Sequence, residues 1–444
     1  MNSLAKLDAA SLAHPNRNRL AADDRAVHDW YRFVLSFPPH LVREYLARFD
    51  IGPNQAVLDP FCGTGTTLVE CKKLGVSYYG VEANPLACFA SQTKVNWDVD
   101  PLGLLNHAGQ IAQAAMTALD AQGLSDETLP LLRGPLPDAN TALRTLPSAQ
   151  MALLLANSIS PLPLHKTLVL LDQIAQHEDR RYIDYERLAL ARTAVLYASN
   201  LEFGPEVGVG AAKEDAAVVA PWLELVGQMA ADLTGLQDRK SVPGRVFHAD
   251  SRHLDDILPS QAIHAVITSP PYPNEKDYTR TTRLESVLLG FVQDKAELRR
   301  LKQGLIRSNT RGVYRADSDD QWVAEFPDIQ RIADAIEARR LELGKTSGFE
   351  RMYARVTRLY FGGMYRHLAN LRRVLCPGAH LAYVVGDQAS YLRVMIRTGE
   401  LTAQIAEALG YQVESIDLFR TRIATATREQ LREEVVVLRW PGRS

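Results

Sequence analysis

Cysteine is scarce in this sequence and offers no framework for a fold. The four thiols, Cys62, Cys71, Cys88 and Cys376, are scattered, with no CxxC pair and no Cys/His cluster. That excludes a disulfide scaffold and zinc sites of the usual spacing, so no metal is expected. Also missing is any uninterrupted apolar run of membrane-spanning length, and the N-terminus has no basic stretch followed by an apolar one. The cytoplasm is the expected location, with no membrane partner. Nor is there an excess of charge: 50 Lys and Arg stand against 52 Asp and Glu, a formal net charge of -2. Phosphate is therefore not attracted globally, and a nucleic-acid surface requires local segregation of cations. Apolar residues, by contrast, are plentiful. With 46% hydrophobic and 23% charged residues over 444 positions, the chain can bury one large core or two smaller ones and does not read as disordered.

Short apolar runs punctuated by glycine and proline set the order of elements. Ala56 to Leu58 form a run ending in Asp59-Pro60; a Gly/Thr-rich turn follows, then a helical stretch from Thr67 to Leu74 closed by Gly75. A second run, Ser77 to Val81, ends on Glu82, and Asn84-Pro85 opens another helix through Ala90. Such a βαβα unit implies a parallel sheet. From about 100 to 240, Ala, Leu and Gln recur at helical spacing, with proline clusters at Pro135-Leu136-Pro137 and Pro161-Leu162-Pro163 expected to break the pattern. This stretch reads as a helical insertion. Strand signals resume at Val246 to Asp250 and at Ile263 to Thr268. A helix from Tyr365 to Leu375 is expected to stop at Pro377-Gly378, with strands at Ala379 to Val385, Tyr411 to Phe419 and Glu434 to Leu438. The expected fold is α/β with seven strands. Its layout resembles the Rossmann-like, mostly parallel sheet of class I methyltransferases, whose last strand runs antiparallel. On this reading 1–100 is the N-terminal part of a catalytic domain, 101–240 a helical insertion, and 241–444 the remainder.

In Asp59-Pro60-Phe61-Cys62-Gly63-Thr64-Gly65-Thr66-Thr67, two glycines allow a tight turn and close approach of a ligand, and the next helix offers its N-terminal dipole. By itself a GxG is equally a plain strand-to-helix turn. Glu82, however, ends the next strand about 20 residues later, where a carboxylate in a Rossmann-like sheet accepts from ribose hydroxyls. The loop resembles the Asp-Pro-Phe-x-Gly-x-Gly-Thr-Thr signature of amino-methyltransferases acting on DNA. That resemblance implies S-adenosyl-L-methionine as cofactor, with Asp59, Phe61, Gly63, Gly65 and Thr66 around its methionine end and Glu82, beside Asn84, on its ribose. Asp250, with Ser251 next to it, matches the position that holds the adenine amino group, although an Asx cap on the following turn suits Asp250 as well. The stretch Trp30 to Leu41, including Phe37, resembles the segment that closes over the methionine moiety; an aromatic, proline-rich helix entrance is also ordinary core.

Thr268-Ser269-Pro270-Pro271-Tyr272 is the most informative stretch. Two prolines after a buried strand fix the backbone and remove donors, leaving carbonyls free to accept. An exocyclic amine is a poor nucleophile while its lone pair is delocalised into a ring. Bonds from its hydrogens to Ser269 and the Pro270 carbonyl favour a pyramidal nitrogen able to attack a methyl group in line. Tyr272 is placed to stack on a flipped base. The tetrapeptide resembles the (Ser/Asn/Asp)-Pro-Pro-aromatic motif of DNA N4-cytosine and N6-adenine methyltransferases, catalytic through Ser269, Pro270, Pro271 and Tyr272 here, with serine in first place typical of cytosine N4. Cytosine C5 chemistry needs a nucleophilic cysteine, usually after proline, and only Cys376-Pro377, in reverse order, is present. Adenine N6 transfer, an RNA amino-methyltransferase and a DNA-binding regulator on an inactive fold are the competing readings.

Duplex DNA is the implied partner, and the resemblance admits a cognate restriction endonuclease. No nuclease or helicase signature is present. Lys295, Arg299, Arg300, Lys302, Arg307, Arg311 and Arg315 face a single acid, Glu297, in the segment after the catalytic loop. The same charges also suit a solvated helix face. Closer to the loop, Asp277, Tyr278, Arg280 and Arg283 are candidates for the target strand, and target recognition falls to 101–240, to 273–350, or to both.

Overall fold

The computed structural model describes residues 20–32, 36–129, 136, 141–204, 206–274, 276–423 and 430–442; of the positions read above, Phe33 to Leu35, Pro135 and Pro137 lie outside them. The strands are β1 (Ala56–Asp59), β2 (Ser77–Glu82), the short pair β3 (Leu201–Phe203) and β4 (Val207–Val209), then β5 (Gly244–His248), β6 (Ile263–Thr268), β7 (Leu375–Gly386), β8 (Gln412–Ile423) and β9 (Gln430–Arg439). Seven of them form one sheet in the order β5-β2-β1-β6-β7-β9-β8. All neighbours from β5 to β7 pair in parallel, and β9 runs antiparallel between β7 and β8. This is the class I methyltransferase sheet expected from the sequence. β1 and β6 are buried along nearly their whole length, as inner parallel strands covered on both faces must be. Strand order reverses between β1 and β6, so their carboxyl ends open on a common crevice, the switch point where open α/β sheets bind ligands.

Successive residues of each strand feed two cores. Val57, Ala265, Ile267 and Val437 face one side, and Leu58, Val266, Leu381 and Val436 the other. The first core is covered by α1 (Pro39–Arg48), α2 (Thr66–Lys73), α3 (Pro85–Val95) and, continuous with them, α4 (Pro101–Asp120), α5 (Pro161–Gln176), α6 (Ile183–Thr193) and α7 (Val219–Thr234). Past the Ser269–Tyr272 loop comes α8 (Lys295–Gly304), and the second core is covered by α9 (Pro327–Glu342), α10 (Tyr353–Leu371) and α11 (Thr398–Ala408).

Three local expectations need correction. Pro161 opens α5 instead of breaking a helix, because in the first turn its missing N–H has no intrahelical partner to lose. The β3–β4 hairpin inside the helical stretch was not expected. The helix expected to reach Leu375 ends at Leu371, since Leu375 pairs with Ile263 and Val374 accepts from the Ile263 amide at 3.0 Å; Pro377 and Gly378 lie in β7 beside a register shift between Ile263 and Ala265.

Candidate active site

The loop after β1 is held by its own short side chains. Asp59 Oδ1 accepts from the Phe61 amide at 3.1 Å and from Thr268 Oγ1 at 2.6 Å, while Thr67 Oγ1 donates to the Ile267 carbonyl at 3.0 Å. These bonds lock the glycine loop to the end of β6, where Ser269-Pro270-Pro271-Tyr272 begins. Gly63 and Gly65 have φ of 52° and 85°, the left-handed region that suits glycine, and a Cβ on Gly65 would lie 3.2 Å from Ser91 Oγ. Ser91 Oγ in turn donates to the Gly63 carbonyl at 2.7 Å. Both glycines are therefore needed for shape, and Gly65 for space as well.

Glu82 joins the first two strand ends. Its carboxylate accepts from the Gly63 amide at 2.9 Å and from the Asn84 amide at 2.7 Å, and burial pushes it up to about 7. Asn84 Oδ1 accepts from the Leu86 and Ala87 amides and caps α3 with Pro85 in its first turn. Burial also pushes Asp59 up to about 6.

A cavity of about 560 Å³ lies over these strand ends. Of the residues singled out from sequence, its wall contains Phe37, Phe61, Gly63, Thr66, Glu82 and Asn84, joined by Ser251, Ser269, Pro270, Pro271, Tyr272 and Tyr278. Asp59 and Gly65 lie behind that wall and shape the loop. Asp250 is also outside it: Arg252 Nε and Nη2 hold the carboxylate at 3.0 and 2.6 Å, and the same guanidinium reaches Asp319 at 2.6 Å. Asp250 further accepts from the Arg252 amide at 2.9 Å, the Asx geometry the sequence had left open.

The expected cofactor fits this site. Thr64, in the wall, has a buried hydroxyl with no hydrogen-bond partner among the described residues, and α2 begins without a side-chain cap on its first-turn amides. Unengaged donors at a helix N-terminus suit a carboxylate such as that of methionine. Each oxygen of Glu82 accepts one backbone bond and keeps a lone pair for a ribose hydroxyl.

Ser269 Oγ donates to the Val384 carbonyl at 3.2 Å. Tyr272 packs against Gly386, where an added Cβ would come within 3.0 Å of the ring, and burial raises its phenol well above the ordinary value. Sequence reading missed His367. Nδ1–H of its buried ring donates to the Ser251 carbonyl (2.9 Å), Nε2 accepts from Tyr383 Oη (2.6 Å), and the ring meets Phe61 edge-on at 4.8 Å. Burial lowers it to about 4, so it stays neutral and supports the cofactor side of the cavity. Lys276, Arg420, Arg422 and Glu433, also in the wall, were missed too, because strand and loop positions carry no motif.

Two of the DNA-contact expectations are overturned. Arg307 is 5% exposed, its Nε and Nη2 on Asp317 at 2.9 and 3.0 Å and its Nη1 on the Lys302 carbonyl at 2.8 Å. Asp277 is buried as a cap, accepting from the Thr279 amide at 3.0 Å and from Lys302 Nζ at 2.7 Å. Neither has a group left for phosphate or base. Arg283 is largely engaged with Thr279 and the Leu153 carbonyl. Arg280 faces Glu206 of the β3–β4 turn at 3.9 Å, and Arg311 is exposed, 5.7 Å over the Phe349 ring.

Sheet order and loop geometry define a class I methyltransferase. The family model for N6/N4 methyltransferases, described as DNA methylase, matches residues 11–92, which include the glycine loop and Glu82. Along most of its length the chain is similar to two Type II methyltransferases. M.BsoBI of Geobacillus stearothermophilus is 24% identical over 94% of this chain and 85% of its own, and M.AvaI of Nostoc sp. 23% identical over 93% and 86%. Among solved structures, TrmN from Thermus thermophilus aligns at a TM-score of 0.30 and 11% identity, over 94% of this chain and 52% of that one, too weak a likeness to add to the sheet order. Residues 11–92 thus match the N4/N6 amino-methyltransferase model, the chain as a whole is similar to Type II methyltransferases, and S-adenosyl-L-methionine is the cofactor these likenesses imply.

Proposed function

We propose that this enzyme is a site-specific DNA methyltransferase that transfers a methyl group to the exocyclic N4 of cytosine in duplex DNA after flipping the base. The observation that carries this reading is the placement of Ser269-Pro270-Pro271-Tyr272 in the wall of one cavity with Gly63 and Glu82. Serine at the head of the tetrapeptide supports cytosine over adenine.

Bound S-adenosyl-L-methionine supplies an electrophilic methyl group on a positively charged sulfur. The protein acts on the other reactant. Ser269 gives its proton to the Val384 carbonyl, which leaves the hydroxyl lone pairs to accept one amino hydrogen. The Pro270 carbonyl, to which no described residue donates, takes the other. Two acceptors favour a pyramidal nitrogen, which gains the methyl group while sulfur keeps the bonding pair; the nitrogen then sheds a proton past Ser269 to solvent. Tyr272 stacks on the base and offsets part of the few kcal/mol that extrusion costs.

Lys295, Arg299 and Arg300 on the exposed face of α8, with Arg311 and Arg315, are the phosphate-contacting surface in this reading. The insertion at 101–240 supplies target recognition, because Glu206 in its β3–β4 turn forms part of the cavity wall beside Arg280. A modification role beside a cognate restriction endonuclease fits the Type II methyltransferase names of the relatives. Incubation with labelled S-adenosyl-L-methionine and unmethylated duplex DNA, followed by nucleoside mass spectrometry, tests the proposal. N4-methylcytosine is expected; N6-methyladenine would replace the base assignment, and label in RNA alone would reject DNA as substrate.

A further inference from the structure

The cavity wall contains a cation that forms no hydrogen bond or ion pair with the described residues. Lys276 follows Tyr272 by four positions and is half-buried, and its ammonium has no hydrogen-bond or ion-pair partner among the described residues. The backbone beneath it is fixed. The Lys276 amide donates to Asn274 Oδ1 at 3.0 Å, Asn309 Nδ2 donates to the Lys276 carbonyl at 3.2 Å, and Asp277 caps the next turn. The charged groups facing it are Arg422 and Glu433 from the β8–β9 hairpin and Glu206 from the β3–β4 turn. Glu433 is already held by Arg420, whose Nη2 lies 3.0 Å from Oε1, so it offsets the charge of Lys276 only in part. Burial and Arg422 hold the ammonium below the usual lysine range, consistent with a donor short of partners.

We propose that Lys276 is the specificity-determining donor for the ring edge of the flipped base, an inference that rests on the cytosine reading above. With the exocyclic amine between Ser269 and Pro270, the adjoining edge of cytosine carries N3 and the O2 carbonyl, both acceptors. The same edge of adenine carries N1 and then a C–H. An ammonium directed at the O2 position gains a charge-assisted bond only with cytosine. Facing adenine it is desolvated without a partner, the situation in which a polar site discriminates most strongly.

The test compares wild-type protein with Lys276→Met and Lys276→Arg for cofactor affinity, kcat, KM for unmethylated duplex DNA, and the ratio of N6-methyladenine to N4-methylcytosine formed. In K276M the cytosine rate falls about 10- to 100-fold, the value of one charge-assisted hydrogen bond. The adenine-to-cytosine ratio rises, cofactor affinity is unchanged, and K276R recovers part of the rate. A K276M enzyme with wild-type rate and ratio overturns the inference, as does a parallel loss of cofactor affinity that K276R does not recover. Wild-type protein that forms only N6-methyladenine overturns the cytosine reading, and this inference with it. A cytosine product together with an indifferent K276M overturns the inference alone.

Discussion

The two sides of the cavity are built differently. On the side of β1, β2 and β6, backbone amides and carbonyls set the shape, held by short side chains that bond to one another: Asp59 to Thr268, Ser91 to Gly63, Glu82 to Gly63 and Asn84. On the side of the β8–β9 hairpin and the loop after Tyr272, long charged side chains, Lys276, Arg420, Arg422 and Glu433, face the same space. A backbone-built wall costs no side-chain entropy when it receives a ligand and suits an invariant cofactor and a reacting amine. A wall of charged side chains is easily altered one residue at a time and suits discrimination between bases. On the proposed reading, chemistry and selectivity fall on opposite faces of one site.

The same contrast applies to cations, and it can be broken by mutation. Arg307 in the interior and Arg299 on the surface of α8 are eight residues apart in one basic segment. Arg307→Ala is expected to destabilise the fold by about 2–3 kcal/mol, because it removes the cation from the half-buried Asp317 carboxylate, which keeps only the Tyr314 amide as donor. Urea denaturation reads that loss; a variant as stable as wild type would return Arg307 to the DNA surface. On the cofactor side, Glu82→Gln weakens S-adenosyl-L-methionine binding about tenfold, in line with losing a charge-assisted bond.

This second prediction carries a pH signature. Burial raises Glu82 to about 7, so below that pH the free protein carries it protonated. Hydroxyl donors favour the ionised form, and binding then releases a proton. Affinity measured by calorimetry therefore rises with pH up to about 7 and levels off above it, and the slope disappears in the glutamine variant. Equal slopes in both proteins would remove Glu82 from the ribose. The smallest effect belongs to Arg299→Ala: unchanged stability, and a salt slope of DNA binding reduced by about 1. An unaltered slope would place the phosphates elsewhere.

The sheet and both loops were readable because inner parallel strands show as short apolar runs, and because Gly63, Gly65 and the two prolines after Ser269 break those runs at fixed places. What escaped depends on pairing across the fold. A three-residue strand such as β3 carries too little pattern to stand out, and Leu375 left its helix because Ile263 offered a ladder partner. Counting arginines could not reveal that Arg307 points inward to Asp317, or that Arg252 holds Asp250, since both partners come from tertiary or local geometry. His367 had no motif around it, and only the folded chain brings it under Phe61 and Ser251.

The most direct test that the tetrapeptide acts on the amine and not on the cofactor is to measure single-turnover methyl transfer and cofactor affinity together in Ser269→Ala and in the Pro270→Ala, Tyr272→Ala double variant. Transfer is expected to fall by at least about 10²-fold, the loss typical of removing a group aimed at the reacting centre, with cofactor affinity unchanged. Parallel loss of both, or transfer at the wild-type rate, would contradict the assignment of the amine to Ser269 and Pro270.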